Sequence, residues 1–128
     1  MSERQRIAGP SPYEDEIGFS RAVRVGNRVL VAGTGPVWED GSCDPDPEAQ
    51  FARCVEIVAA ALEEAGASLD DVVRTRQFIV DAADADAVGR AHAAGFGRVR
   101  PVSTMVVVAA LLDPRWKVEI EAEAVVGD

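Results

Sequence analysis

Ser103–Ala110 (STMVVVAA) and Val118–Val126 (VEIEAEAVV) decide how this chain is read. Successive side chains of a strand take opposite faces and advance about 3.3 Å each, so Glu119, Glu121 and Glu123 fall on one face at intervals of about 6.6 Å. Val118, Ile120, Ala122 and Ala124 take the other. A fully apolar strand is thereby set beside one that carries a row of carboxylates. Like charges in line on a sheet are unfavourable unless water or cations accompany them, and a carboxylate at the mouth of a cleft can hold or activate a water. The row therefore has a structural reading, as ion pairs, and a chemical one centred on Glu119, nearest the strand's start.

Upstream, Val72–Val80 is β-branched and places Arg74, Arg76 and Phe78 on the face of its end valines, which makes the two arginines natural partners for the glutamates. Ser20–Val25 and Arg28–Ala32 read as antiparallel strands around Gly26-Asn27, a pair suited to a tight hairpin turn. Gly33-Thr34-Gly35 ends the second strand without opening a helix, so it fails the phosphate-cradling pattern and reads as a tight turn. Asp46-Pro47-Glu48 is a helix start: Asp caps, Pro occupies a position that needs no donor, and Glu meets the positive end of the dipole. Phe51, Cys54, Val55, Val58, Leu62 and Ala65 then recur every three or four residues until Gly66. A second helix, interrupted by Gly89 and Gly95, runs from Asp81–Asp86 to about Phe96. The order strand, strand, helix, strand, helix, strand, strand predicts an α+β layer, a mixed sheet with two helices packed on one face.

One domain accommodates 128 residues of which 48% are hydrophobic. The polar, proline-punctuated residues 1–16 read as a partly mobile lead-in without the apolar centre of a secretory signal, leaving 17–128 as the domain. A net charge of −9 opposes a nucleic-acid partner, because duplex binding rests on neutralising phosphates with Lys and Arg. The longest apolar run, Met105–Leu112, is far short of a membrane span, and no membrane partner is expected. Cys43 in a Gly/Asp/Pro-rich loop and Cys54 on the helical stripe do not form a disulfide framework, which fits a reducing cytoplasm.

Single residues carry mixed signals. His92, the lone histidine, shares a helix side with Val88 and Phe96 and reads as a satisfied core or interface residue. Cys54 reads as core filling, and no set of residues has metal-ligand spacing. Ser103 and Thr104 follow Arg100-Pro101 directly; their hydroxyls either line a cavity at that end or make ordinary strand-start hydrogen bonds.

Ile17-Gly18-Phe19, Val25-Gly26-Asn27, Val31-Ala32-Gly33, Asp71-Val72-Val73-Arg74, Phe78-Ile79-Val80-Asp81, Arg100-Pro101-Val102-Ser103-Thr104 and Val118-Glu119-Ile120-Glu121-Ala122 stand in the order and spacing of one known family. From Ile17 to Val126 the chain resembles the Rid (reactive intermediate deaminase, YjgF-type) proteins. The resemblance implies a chorismate-mutase-like fold and a homotrimer with a small-molecule pocket at each subunit interface. It also implies hydrolysis of imines or enamines without metal or organic cofactor.

By the same resemblance Glu119 is the catalytic, water-holding carboxylate, Phe19 closes the pocket where a tyrosine is usual, and Gly33 and Met105 offer main-chain groups. Ser103 occupies the position of the family's carboxylate-clamping arginine, which points to a branch lacking that clamp. A serine hydroxyl gives one neutral hydrogen bond of ~1 kcal/mol in place of a charged fork worth ~1.5–3 kcal/mol per bond. Arg100, three residues earlier, is the candidate replacement, and Ser103 and Thr104 are candidate donors to a neutral or weakly polar ligand that is hydrolysed as an imine or undergoes an enamine-type tautomerisation, with Glu119 positioning water or abstracting a proton. A metabolite-binding or sensing protein without turnover, using the same pocket, is the alternative; RNA cleavage is disfavoured by the acidic composition.

Overall fold

A computed structural model of the protein describes residues 3–127. Met1 and Ser2 of the expected lead-in, and Asp128, lie outside the described residues. Nine elements follow in order: β1 (Arg4–Ile7), α1 (Tyr13–Ile17), β2 (Ala22–Val25), β3 (Arg28–Thr34), α2 (Pro47–Glu64), β4 (Val72–Ile79), α3 (Ala85–Phe96), β5 (Val102–Val107) and β6 (Val118–Val125). Single 3-10 turns at Leu69–Asp71 and Ala82–Asp84 lead into β4 and α3. The fold is α+β and chorismate-mutase-like, as expected from the chain's pattern and resemblance.

The sheet order is β1-β2-β3-β6-β4-β5, antiparallel except for the parallel β4–β5 pair. Two expectations are corrected here. The apolar strand and the glutamate strand are not neighbours, because β4 lies between them. Elements also precede Ser20: β1 pairs Arg4 through Ile7 with Val25 through Ala22, and α1 is a five-residue helix. β1 shows no apolar alternation in its sequence RQRI, since it sits at the edge with Ile7 alone buried, and its backbone partners rather than its side chains define it.

α2 forms where its signals lie. Asp46 Oδ2 accepts from the Ala49 N–H at 2.9 Å and Pro47 opens the helix. Its stripe, Phe51, Cys54, Val58 and Leu62, is fully buried against the helix-side face of the sheet, where Val118, Ile120 and Ala124 lie. Burying such aliphatic and aromatic side chains contributes roughly 1.5–3 kcal/mol each before entropy is counted. α3 packs beside α2 and adds Val88 and Phe96 to the same core.

Beyond the bulge at its start, β4 presents Thr75, Gln77 and Ile79 to the helices and Arg74, Arg76 and Phe78 to the opposite face. Val72 does not share the arginines' face, as strict alternation had predicted. A register shift between Val72 and Arg74 inserts a residue and turns Val72 into the core.

Candidate functional site

The three glutamates of β6 share a face and differ in partners. Glu121 accepts from Arg76 Nη1 at 2.6 Å; Glu123 is bonded by Arg28 Nη2 and has Arg74 Nε at 3.9 Å. Glu119 stands opposite Phe78, an apolar residue, so no arginine reaches it across the sheet. Among the described residues Glu119 takes part in no salt bridge. Burial raises its pKa above the ordinary carboxylate value; the through-space field of Arg21 opposes that shift and the neighbouring Glu121 adds to it.

A bulge in β3 brings backbone to this carboxylate. Val31 pairs with Ala122 and Thr34 with Ile120, so Ala32 and Gly33 together oppose Glu121 alone. Gly33 lies so close that a Cβ there would collide with Glu119 Oε2. Gly35 leaves equivalent room for the Trp116 ring, 2.5 Å from where its Cβ would stand. The Gly33-Thr34-Gly35 segment is thus a bulge followed by a close approach, not the tight turn its composition predicted.

The bulge is held from behind by Arg21, a buried cation. Its Nη1 donates to Gly33 O at 2.6 Å and Thr34 Oγ1 at 2.9 Å, its Nε to Glu14 Oε2 at 3.2 Å, and its guanidinium lies 5.2 Å from the Phe19 ring centroid. Glu14 is also bound by the Gly9 N–H at 2.8 Å and the Ser11 N–H at 3.3 Å. On the other side the buried amide of Gln50 fixes the turn before β6, accepting from the Lys117 N–H at 2.7 Å and donating to Arg115 O at 3.0 Å. That turn presents Trp116, whose ring meets Tyr13 edge to face at 6.1 Å.

Tyr13, Phe19, Arg21, Gly33, Trp116 and Glu119 line one cavity of about 300 Å³. It opens beside a cleft of about 470 Å³ that also uses Tyr13 and Trp116 and adds Trp38 and Arg115.

Of the residues named from the sequence, Phe19, Gly33 and Glu119 meet here. Ser103, Thr104, Met105 and Arg100 do not. Ser103 pairs with Thr75 on β4 and so faces the helices, whereas Glu119 faces away from them. The Ser103 hydroxyl accepts from Thr75 Oγ1 at 2.8 Å and donates to Gln77 Oε1 at 3.1 Å; Gln77 Nε2 returns a bond to Thr75 at 2.9 Å. His92 Nε2 joins this ring 2.8 Å from Thr75 Oγ1, and its partial burial lowers its pKa. Thr104 takes the other face of the edge strand, exposed, and Met105 lies on the helix side against the core. Arg100 is exposed beyond the end of α3, with φ of 51° and its N–H on Phe96 O at 2.9 Å.

Cys54 is wholly buried, which pushes its thiol pKa far up, in keeping with core filling. No helix is long and apolar enough to cross a membrane among the described residues.

A family model described as Endoribonuclease L-PSP matches residues 12–126. A crystal structure of Rv2704 from Mycobacterium tuberculosis, described as a member of the highly conserved YjgF/YER057c/UK114 family, is 43% identical, covers 97% of this chain and 100% of its own, and superposes with a TM-score of 0.88. The chain belongs to the YjgF/RidA family. Two further YjgF/RidA relatives bracket what is known by name. An uncharacterised protein of Streptomyces coelicolor is 41% identical over 96% of this chain and 92% of its own length. The 2-iminobutanoate/2-iminopropanoate deaminase of Escherichia coli K12 is 33% identical over 84% of this chain and 86% of its own.

The sequence reading missed Arg21, Glu14 and Trp116. A signal for the first two exists in Glu14 and Arg21, opposite charges bracketing Phe19, of which Glu14 falls in the stretch that reads as a partly mobile lead-in.

Proposed function

We propose that this YjgF/RidA protein hydrolyses a small imine or enamine, with Glu119 as the base that holds and deprotonates the attacking water. The observation behind it is the unequal treatment of one row of carboxylates: Glu121 and Glu123 are paired with arginines, while Glu119 stands half-buried at a cavity with none. Burial that raises its pKa brings the carboxylate nearer the working pH, where a general base transfers protons best.

The reaction needs little else. As Glu119 takes a proton from water, the water oxygen bonds to the imine carbon and the C=N π pair moves to nitrogen, which is then protonated. The carbinolamine collapses: the C–N bond breaks, ammonia leaves, and a carbonyl compound remains. An enamine enters the same route after protonation at its carbon. The named relative that acts on 2-iminobutanoate and 2-iminopropanoate supports this reaction class.

The functional unit in this reading is a homotrimer. Ser103 and Glu119 lie on opposite faces of one sheet, so they line a common pocket only when β5 of one copy meets β6 of another. The exposed Val102, Val106 and Val107 on the unpaired edge of β5 are what such packing would cover. Sedimentation should return three times the mass of one chain.

Imines generated in situ from amines and amino acids, in the presence of a competing nucleophile, test the activity. Glu119→Gln should abolish the protein's contribution to carbonyl release, and equal turnover by the variant would sink the proposal. Ser103→Arg separates substrate classes: activity on amino-acid-derived imines confined to that variant would mean that the native protein does not serve them. The sensing alternative predicts saturable binding with no wild-type turnover of either class.

A further inference from the structure

Arg21 and Glu119 are the only formally charged residues that line the 300 Å³ cavity among the described residues, and they are not equivalent. The Arg21 side chain is 3% exposed, and its charge is already answered by Glu14, itself buried, through Nε to Oε2 at 3.2 Å. Two more of its N–H directions end on Gly33 O and Thr34 Oγ1. Arg115, which lines the adjoining cleft, is likewise committed, with Nε and Nη2 on the two Asp113 oxygens at 3.1 and 2.9 Å. Glu119 has no such partner. Within one copy the cavity is therefore lined by an arginine already paired with Glu14 behind it, by one carboxylate that takes part in no salt bridge, and by three aromatic rings, Tyr13, Phe19 and Trp116.

A ligand carboxylate entering here would meet a net negative site and would favour protonation of Glu119, removing the base. A cation would meet the reverse: a carboxylate for its charge and the electron-rich faces of aromatic rings around it.

We infer that the cavity is built for a carboxylate-free cation, and that the substrate of the hydrolysis proposed above is the iminium form of an imine derived from a simple amine. This rests on the reading of Glu119 as the base. Arg21 and Glu14 are then specificity-determining residues: the pair keeps the bulge in place while withholding the positive charge that an imino acid would need. The balance is unchanged from the neutral case except in charge: iminium and water yield a carbonyl compound and ammonium, with the proton taken up by Glu119 returned to the departing nitrogen.

Binding is measured through the intrinsic fluorescence of Trp116 and Trp38, with cyclohexylammonium and cyclohexanecarboxylate as probes of similar shape and opposite charge at constant ionic strength. Cyclohexylammonium should saturate with a Kd at least tenfold below that of cyclohexanecarboxylate. Glu119→Gln should weaken the ammonium at least tenfold without weakening the carboxylate. Glu14→Gln, verified as folded by its melting curve, should strengthen the carboxylate at least tenfold by releasing the charge of Arg21; if it does not fold, Glu119→Gln carries the test alone.

Equal affinities in the wild type, no saturable ammonium response, or an ammonium affinity indifferent to Glu119→Gln would each overturn the inference. Turnover gives the separate outcome. Hydrolysis of amino-acid-derived imines in preference to amine-derived ones overturns the inference and leaves the deaminase reading intact. Ammonium selectivity without turnover of any imine overturns the deaminase reading and leaves the recognition of cations standing.

Discussion

Gly33→Ala separates the site from the fold. Gly33 is not among the glycines with positive φ, so its backbone is open to alanine, and the substitution restricts the unfolded chain, a change worth about 0.4–1 kcal/mol in favour of folding where no strain opposes it. The collision comes from Glu119: the added methyl would overlap Oε2, with Cδ 3.3 Å and Cγ 3.8 Å away. Oε2 is the far end of a flexible side chain, and the carboxylate can swing aside into the cavity. Restoring van der Waals distance requires it to withdraw by about 1 Å, and a misplacement of that size costs on the order of 10²-fold in rate.

The expected result is a thermal midpoint within a few degrees of wild type together with about a hundredfold loss of imine hydrolysis. The assay is carbonyl release from imines generated in situ, run beside a melting curve on the same preparation. Gly35→Ala is the contrast, because there the methyl would meet the rigid ring of Trp116 at 2.5 Å and no side chain can swing clear, so stability should fall. Wild-type turnover by Gly33→Ala, with an unchanged pH profile, would show that the position of this carboxylate does not matter and would refute the reasoning.

Three other outcomes follow from the same structure. Burial holds the folded-state pKa of Glu119 above the ordinary carboxylate value, so the native state binds its proton more tightly than the unfolded chain and the ionised group subtracts from stability at neutral pH. Glu119→Gln should therefore melt higher than wild type at pH 7, an advantage that disappears as the pH falls below 4.5, and the acid limb of the wild-type rate profile should lie above the usual carboxylate range. Thr75→Val removes the hydroxyl on which Gln77, Ser103 and His92 converge, leaving the buried Gln77 amide and the partly buried His92 ring without that partner; urea unfolding should report a loss of about 1–3 kcal/mol. Phe51→Ala empties a wholly buried site between α2 and α3 and should cost about 3–5 kcal/mol in the same measurement, whereas Arg76→Ala, which breaks a half-exposed pair, should cost no more than about 1 kcal/mol.

What could be read from the chain in advance is what local physics controls. The Gly26-Asn27 turn, the Asp46-Pro47 helix start and the stripe from Phe51 to Leu62 are decided within a few residues of themselves, and each stands where its pattern placed it. The order of the strands is not a local property. Nothing in VEIEAEAVV states that β4 rather than β5 will lie beside it, although the arginines at 74 and 76 hinted at that partner. Bulges are invisible for a related reason: periodicity assigns faces by counting, and one inserted residue at Val72–Arg74 or Ala32–Gly33 reverses the count from there on.

The candidate site divides along the same line, and the division bears on its chemistry. Glu119 was visible as one of a row of carboxylates open to ion pairing or to chemistry, and the resemblance singled it out; that it stands opposite Phe78 without an arginine partner is what the structure adds. Arg21 was not, since an arginine in SRAVRV reads as solvated until the fold brings Glu14 beneath it and the Gly33 carbonyl in front of it. Ser103 is the converse case, since within one copy it does not meet Glu119. The resemblance directed attention to the arginine it replaces and to Arg100 as a substitute, yet Arg100 stands exposed beyond α3, and the serine hydroxyl is taken up by Thr75 and Gln77. The cation nearest to Glu119 in effect is thus one that the chain buries and neutralises before any ligand arrives. On the proposed reading, a site that keeps Glu119 as its base and holds its one lining arginine against Glu14 would select substrates by the negative charge they lack.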